Sequence, residues 1–570
     1  MRIALSSKKD IVLVVVVAVS FILLSGNVWA EGSVEYEYSS TEYIELQAQV
    51  EKLGEEIESL RAIAETAEDA ETAEAAEYAE AADDPYREIG SVPGYNPRAK
   101  YYEVPEGFPK IDSRVRFLGN LRGTWTEMGY QYGERAGDLI VNVFDYSLEL
   151  FNQRNMTVEK LLEYLYRYLD EIDAYAPEMV RFMEGIAEGA STMLGESRFA
   201  EEMSDFEKIL LVNAYLDLDF FPPRREASAS AESQLQENGA NEYEWKLAFR
   251  EHCTGIALSG SSTGNLLSPT KNGETIIANN CDLARFVPFG WNCAYVATPD
   301  DPDANVFWSI HPAGLVGGLN LCTNDKGVTL GNFFGGQSSD DSYDFGVLMG
   351  PLQIHAVAYA DTAEEAVDIM VFGNEKYRKT TGRTKVLQTG LWAYIVSDST
   401  DVMVLELTPR RHAVRYPGDM GEVGNYVIYA NWYGTDHYYD ENNILVEEPI
   451  GIYPPEFPER YYTYDWFIKY HFGELDEELV KEGQKITYYF DEETGRKIEF
   501  LEGSTYPLYI GVHTISAYWG AALGMDIGGT AHASQVVQMP SGRKKINWVQ
   551  GRPCEWIGPW QSTDFYGYQK

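Results

Sequence analysis

EHCTGIALSG, residues 251–260, is where this chain changes character. Upstream, EYEWKLAFREH is charged and helical in pattern. Downstream, CTGIALSG is small and β-branched, the composition of a strand packed within a sheet. The Cys at the joint has two readings. A lone Cys is ordinarily a packing residue; the alternative is that Cys253 becomes the first residue of a new chain.

With 570 residues, 45% of them hydrophobic, the chain can bury a large core in one big domain with appendages. Its formal net charge of −44 argues against nucleic acid or an anionic membrane surface as partner. Residues 31–90 hold 19 acidic and 3 basic residues, so much of that excess is local. At the N-terminus, Lys8 and Lys9 precede the apolar run IVLVVVVAVSFILL (11–24), and Val28-Trp29-Ala30 resembles a small-residue cleavage site. Residues 1–30 therefore read as a signal peptide of an exported protein, periplasmic, extracellular or at the cell surface. An uncleaved N-terminal anchor is the alternative, although the run is short for a membrane span. The five Cys are an odd number, so at least one thiol is unpaired within the chain.

Residues 31–90 read as an acidic helical spacer. Within it Tyr43, Leu46, Val50, Leu53, Ile57, Leu60 and Ala64 alternate steps of three and four, which would also suit a short coiled coil joining copies of the chain through residues 43–64. Residues 91–252 read as a helical pro-region. Apolar spacing predicts helix across 115–220, with Thr124 as a cap after Gly123. PPRREASASAESQLQENGA (222–240) is a low-complexity loop open to clipping. From Cys253 to residue 570, short apolar runs bounded by Gly, Asp, Asn or Pro predict a mainly antiparallel β assembly, interrupted by helix over about 349–372. The fold class is α+β.

Most catalytic signatures fail on context. Gly260-Ser261-Ser262-Thr263-Gly264 matches a serine elbow, but the loop NLLSPTKNGE follows where a helix is needed, so a hairpin loop is the reading. The eight His show no metal-ligand spacing, and the chemistry calls for no cofactor. Cys253 offers more. A Cys at a chain start supplies a thiol and an α-amine whose unperturbed pKa is about 7.7–8.0, suited to a general base. Such a site also needs an acid to orient the amine and amide donors for the oxyanion.

TEMGYQYGERAGDLI (126–140), MEGIAEGA (183–190), ILLVNAYLDL (209–218), HCT (252–254), NNCD (279–282), TNDKGV (323–328), ANWY (430–433) and VVQMP with INWVQGRP (536–553) occur in an order that resembles one family. It is that of the N-terminal-nucleophile (Ntn) hydrolases of the isopenicillin-N acyltransferase and choloylglycine hydrolase type, and the resemblance spans about 115–560. It implies a four-layer αββα sandwich, an inactive precursor, and self-cleavage between His252 and Cys253. It casts Cys253 as nucleophile and Asp282 as the acid that orients the new amine. Asn324 and Asn431 match asparagines near the oxyanion, with turn or hairpin capping as their alternative reading. Two positions depart from the pattern. His252 stands where the family often has Gly, and Asn279 stands where choloylglycine hydrolases carry Arg, which points away from a bile-salt substrate.

The expected activity is that of an exported, self-processing cysteine amidohydrolase or acyltransferase. It would act on the C–N bond of a small linear amide or peptide through a thioester at Cys253. A non-catalytic surface binding protein on an Ntn scaffold and a Cys–His protease without maturation are the competing classes.

Overall fold

The computed structural model describes residues 115–220, 253–283, 291–451, 458–490, 497–499, 518–519, 528–550 and 560–565, apart from residues 154, 264, 319, 336, 337, 339, 341–344 and 487. The export segment 1–30, the spacer 31–90, the loop 222–240, His252 and Cys554 lie outside the described residues.

Thr124 does begin the first long helix. Its Oγ1 accepts the Glu127 N–H at 3.3 Å while Glu127 Oε2 accepts the Thr124 N–H at 2.8 Å, a reciprocal capping box. Helices α1 (Trp125–Gln153), α2 (Val158–Tyr175), α3 (Pro177–Leu194) and α4 (Asp205–Phe220) follow. Helices α1 and α3 touch backbone to backbone. A Cβ at Gly129 would lie 2.2 Å from the Phe182 carbonyl oxygen, and one at Gly185 would lie 2.1 Å from that of Thr126. The expectation of helix from residue 115 fails at its start. Arg116–Gly123 form strand β1, which pairs parallel with the strand that begins at Asn292. Non-local pairing decides this segment, which helical spacing alone does not reveal.

The remaining strands in chain order are β2 (Thr254–Leu258), β3 (Thr275–Leu283), β4 (Asn292–Pro299), β5 (Phe307–Pro312), β6 (Leu321–Asn324), β7 (Thr329–Phe334), β8 (Trp392–Ser397), β9 (Val402–Leu407), β10 (His412–Arg415), β11 (Tyr426–Tyr429), β12 (Tyr438–Tyr439), β13 (Leu445–Val446), β14 (Tyr488–Phe490), β15 (Lys497–Glu499), β16 (Tyr518–Trp519), β17 (Gly528–Gln538), β18 (Lys544–Gln550) and β19 (Gln561–Asp564). Helices α5 (Met349–Tyr359) and α6 (Ala363–Phe372) fill the expected interruption, followed by α7 (Glu375–Thr381). Helices α8 (Pro458–Tyr470) and α9 (Glu477–Gln484) come late in the chain.

Among the described residues these strands build two large sheets. One has ten strands in the order β1-β4-β5-β6-β7-β8-β9-β10-β12-β13, and the other runs β11-β2-β3-β17-β18-β19, with β16 beside β17. A separate hairpin joins β14 and β15. Apart from β1 with β4, the pairings that build them are antiparallel. The architecture is α+β, as the sequence indicates.

Packing explains why β8 and β9 are buried at every residue. The α1–α4 side covers one face of the ten-stranded sheet, where the Tyr132 ring lies 5.4 Å from that of Tyr295 and Asn213 Nδ2 donates to the Gly314 carbonyl. The second sheet covers the other face. At Gly255 a Cβ would fall 2.3 Å from the Phe333 ring of β7 and 3.0 Å from Ile395 of β8. The far face of the second sheet, with Ile256, Leu258, Ile276 and Ala278, packs on Tyr464, Phe467 and Ile468 of α8 and Val480 of α9. Each fully buried Ile or Leu of this kind contributes about 1.5–3 kcal/mol.

Candidate functional site

Strand register places the candidate nucleophile. Thr254 pairs with Asn280, so Cys253, one residue earlier, comes opposite Cys281. On the other side Tyr429 pairs with Gly255, so the antiparallel register carries Asn431 toward Cys253. Cys253 is wholly buried.

One side chain joins these pieces. Arg460, from the first turn of α8, is also wholly buried. Its Nη1 donates to the Cys253 carbonyl at 2.9 Å and to Thr254 Oγ1 at 2.8 Å. Its Nη2 donates to the Ala430 carbonyl and to Asn431 Oδ1, both at 3.2 Å. A rigid planar fork is needed to reach two strands at once, which a Lys could not do. Asn431 itself is left-handed, with φ of 56°, a conformation that Asn tolerates better than most residues. Its Nδ2 donates to the Phe334 carbonyl at 2.7 Å. An amide carries two N–H groups, and this bond uses one of them.

Asp282 lies on β3 two residues past Asn280, with its backbone paired to Thr530 of β17. The register shifts between Thr530 and His532, so the β3–β17 ladder is irregular beside Cys281 and Asp282. Irregularities of this kind often re-aim side chains near active sites. The strand is pinned from outside by Gln484 at the end of α9. Its Nε2 donates to the Asn279 carbonyl at 3.2 Å and to Asn280 Oδ1 at 3.1 Å, and Asn280 Nδ2 donates back to the Gln484 carbonyl at 2.9 Å.

Asn324 is not brought to this place. Its Oδ1 accepts the N–H groups of Lys326, Gly327 and Val328 at 3.1, 3.0 and 2.9 Å, and its Nδ2 donates to the carbonyls of Val357 and Ala360. The turn it caps meets Gln538, since a Cβ at Gly327 would lie 2.7 Å from Gln538 Nε2. Gln538 pairs with Thr275 at the start of β3, whereas Cys281 is near the strand's end. At about 3.4 Å per residue the two ends are roughly 20 Å apart. The turn-capping reading is the one realised for Asn324.

Two described His residues stand opposite a Cys across a strand pair, His311 opposite Cys293 and His532 opposite Cys281. Burial pushes the Cys293 thiol up to about 12 and His311 down to about 4. Both are thereby held neutral, the reverse of an activated thiolate–imidazolium pair. Tyr132 Oη lies 3.2 Å from Cys293 Sγ, within the packing of α1 on the sheet. The loop with the serine-elbow pattern is a tight hairpin, with mutual Thr263–Leu266 backbone bonds at 3.0 Å.

Sequence reasoning does not find Arg460. It sits in PERYYTYDWFIKY, where neither charge pattern nor motif marks it, and the aromatic content of that stretch suits a strand as well as a helix. Its role appears only once α8 packs against β2 and β11.

No protein-family model and no curated protein matches the chain. Among solved structures, a mutant of the conjugated bile acid hydrolase from Clostridium perfringens is similar at 10% identity and a TM-score of 0.30, over 55% of this chain and 93% of that one. A second variant of the conjugated bile acid hydrolase from the same organism gives 11% identity and a TM-score of 0.25, over 55% of this chain and 96% of that one.

Proposed function

We propose that the chain is an exported, self-processing cysteine amidohydrolase or acyltransferase of the Ntn type, acting on the C–N bond of a small linear amide or peptide. One observation carries the reading. The residue at which the sequence switches to strand, Cys253, is buried at the start of β2, and a single guanidinium connects its carbonyl to the side chain of Asn431. The helix, sheet, sheet and helix packing described above supports a four-layer αββα sandwich. Residues 91–252 are then the pro-region and 253–570 the mature catalytic part. The signal-like residues 1–30 carry export, and the seam at 43–64 pairs copies of the chain.

In the precursor the Cys253 thiol attacks the carbonyl carbon of His252. The C–N bond breaks, a thioester forms, and the nitrogen becomes a free α-amine. Water then hydrolyses the thioester, leaving a His252 carboxylate and a Cys253 thiol. In turnover the α-amine, oriented by Asp282, takes the thiol proton as sulfur attacks the substrate carbonyl. In both attacks, on the His252 carbonyl and on the substrate carbonyl, the second N–H of Asn431 donates to the oxyanion. The leaving amine takes the proton, and water or an acceptor amine releases the acyl group from sulfur.

Intact-mass measurement and sequencing of the purified protein test this. The downstream fragment is expected to begin Cys-Thr-Gly-Ile-Ala, and Cys253→Ala to remain one chain. Wild-type protein that hydrolyses amides while uncut would favour a Cys–His protease; uncut and inert protein would favour the binding-protein class.

A further inference from the structure

We infer that Glu406, on the sheet opposite Cys253, is a positioning residue that fixes the loop carrying Asn431; the inference rests on the proposed role of Asn431. After β11 the chain passes through Asn431 in a left-handed conformation and runs through Trp432, Tyr433, Gly434 and Thr435 toward the ten-stranded sheet. Glu406 of β9 is wholly buried and receives that loop. Its Oε1 accepts the Gly434 N–H at 2.8 Å, and its Oε2 accepts the Thr435 N–H at 3.2 Å and the Thr435 hydroxyl. Tyr433 adds a hydroxyl bond to the Leu407 carbonyl, next to Glu406 in the strand.

The carboxylate is not alone. Arg415 Nε lies 3.6 Å from Glu406 Oε1, and Arg415 Nη1 lies 3.3 Å from Glu422 Oε1. Gly434 admits this approach, because a Cβ there would come within 3.4 Å of Arg415 Nε and 2.9 Å of Met420 Sδ. Glu422 in turn accepts the Tyr461 hydroxyl at 2.7 Å, and Tyr461 follows Arg460 on α8. One buried ionic network therefore holds both the Asn431 loop and the helix turn whose Arg460 touches Asn431 Oδ1 and the Cys253 carbonyl. Buried ion pairs add little net stability over apolar packing. Their consequence here is geometric: the carboxylate that the Gly434 and Thr435 amides meet comes from the opposite sheet, so the loop's distance from Cys253 is set across the sandwich.

The test uses the full chain and needs no external substrate. Glu406→Gln is expected to raise hydrogen exchange in peptides covering 430–436 while leaving α1 and α3 unchanged. Cleavage before Cys253 should slow about tenfold to a hundredfold, the cost of a misplacement near 1 Å. Added to Asn431→Ala, Glu406→Gln should slow cleavage no further, since it acts through Asn431. Thr435→Val removes one bond without touching the buried charges, and should act in the same direction more weakly, which covers a Glu406 variant that does not fold. Unchanged exchange in 430–436, or additive effects of Glu406→Gln and Asn431→Ala, overturns the inference. Slow cleavage in Asn431→Ala beside wild-type rates in both Glu406→Gln and Thr435→Val overturns it alone, whereas a wild-type rate in Asn431→Ala overturns the assignment of Asn431 and the inference with it.

Discussion

Arg460 ties Cys253 to Asn431 through the two arms of one guanidinium, at 2.9 Å to the Cys253 carbonyl and 3.2 Å to Asn431 Oδ1. A Lys at this position keeps the charge but is a point donor that cannot span both acceptors. Arg460→Lys is therefore expected to slow cleavage before Cys253 by at least about tenfold, again the cost of a misplaced group. It should also cost about 1–3 kcal/mol of stability, through buried acceptors left unpaired. Cleavage timed by mass spectrometry, with urea unfolding alongside, reads both. A variant that cleaves at the wild-type rate would reduce Arg460 to a packing residue.

Asp282→Asn should leave the fold intact but slow turnover by the matured protein. Without a carboxylate the new α-amine is neither oriented nor supported as it takes a proton, and a positioned base is worth about 10²–10⁴-fold. Turnover of an acyl p-nitroanilide that the wild type accepts is the measure for matured protein. Wild-type-like rates would remove Asp282 from the site.

Much of this architecture is legible in the sequence, and the exceptions share a cause. The runs that become β7, β8, β9 and β11 are bounded by turn residues, and Thr124 announces its helix by a local capping box, so local chemistry suffices there. Strand β1 escapes because its partner is the distant β4, and nothing in RFLGNLRG specifies that pairing. At the site, Cys253 and Asp282 stand out by motif, whereas Arg460, Glu406 and Gln484 act through contacts that exist only after the sheets and helices have packed. Asn324 is the converse case. An Asn before Asp-Lys-Gly reads equally well as a turn cap, and its five hydrogen bonds are all spent on that turn and the carbonyls beside it.

A buried acid in the helical layer gives the fold a pH dependence. Asp217 on α4 is wholly buried and accepts from Thr389 Oγ1 and from Trp392 Nε1, the latter at 3.1 Å. Burial raises its pKa from 3.8 to about 7. The folded state then holds this proton over a range where the unfolded state has lost it. The associated stability is full below about pH 4 and falls as pH rises through 7. At about 1.36 kcal/mol per unit the loss approaches roughly 4 kcal/mol. Urea midpoints between about pH 5 and 8.5, a range that brackets the folded-state value, should fall with pH in the wild type and fall less in Asp217→Asn. Equal slopes in the two proteins would assign the dependence to other groups.

The two asparagines offered by the sequence should separate cleanly when each is changed to Ala. Asn324→Ala removes five hydrogen bonds from a buried turn; the Lys326 and Val328 amides and the Val357 carbonyl lose that partner, whereas the Gly327 amide keeps the residue-324 carbonyl and the Ala360 carbonyl keeps Asn305 Nδ2. Several kcal/mol of stability should go, at about 1 kcal/mol or more per unpaired buried group. Because that turn lies at the other end of the second sheet from Cys253, the matured fraction that remains folded should keep its kcat. Asn431→Ala should do the opposite. It removes one bond to the Phe334 carbonyl and one from Arg460, a smaller structural loss, but also the donor proposed for the oxyanion. An oxyanion donor acts mainly in the transition state, so kcat should fall about 10²–10³-fold with KM little changed. Urea unfolding of both variants, together with steady-state kinetics on the folded fraction, distinguishes them. A kcat loss in Asn324→Ala larger than in Asn431→Ala would reverse the assignment; a rise in KM alone for Asn431→Ala would make it a residue that binds substrate rather than the oxyanion.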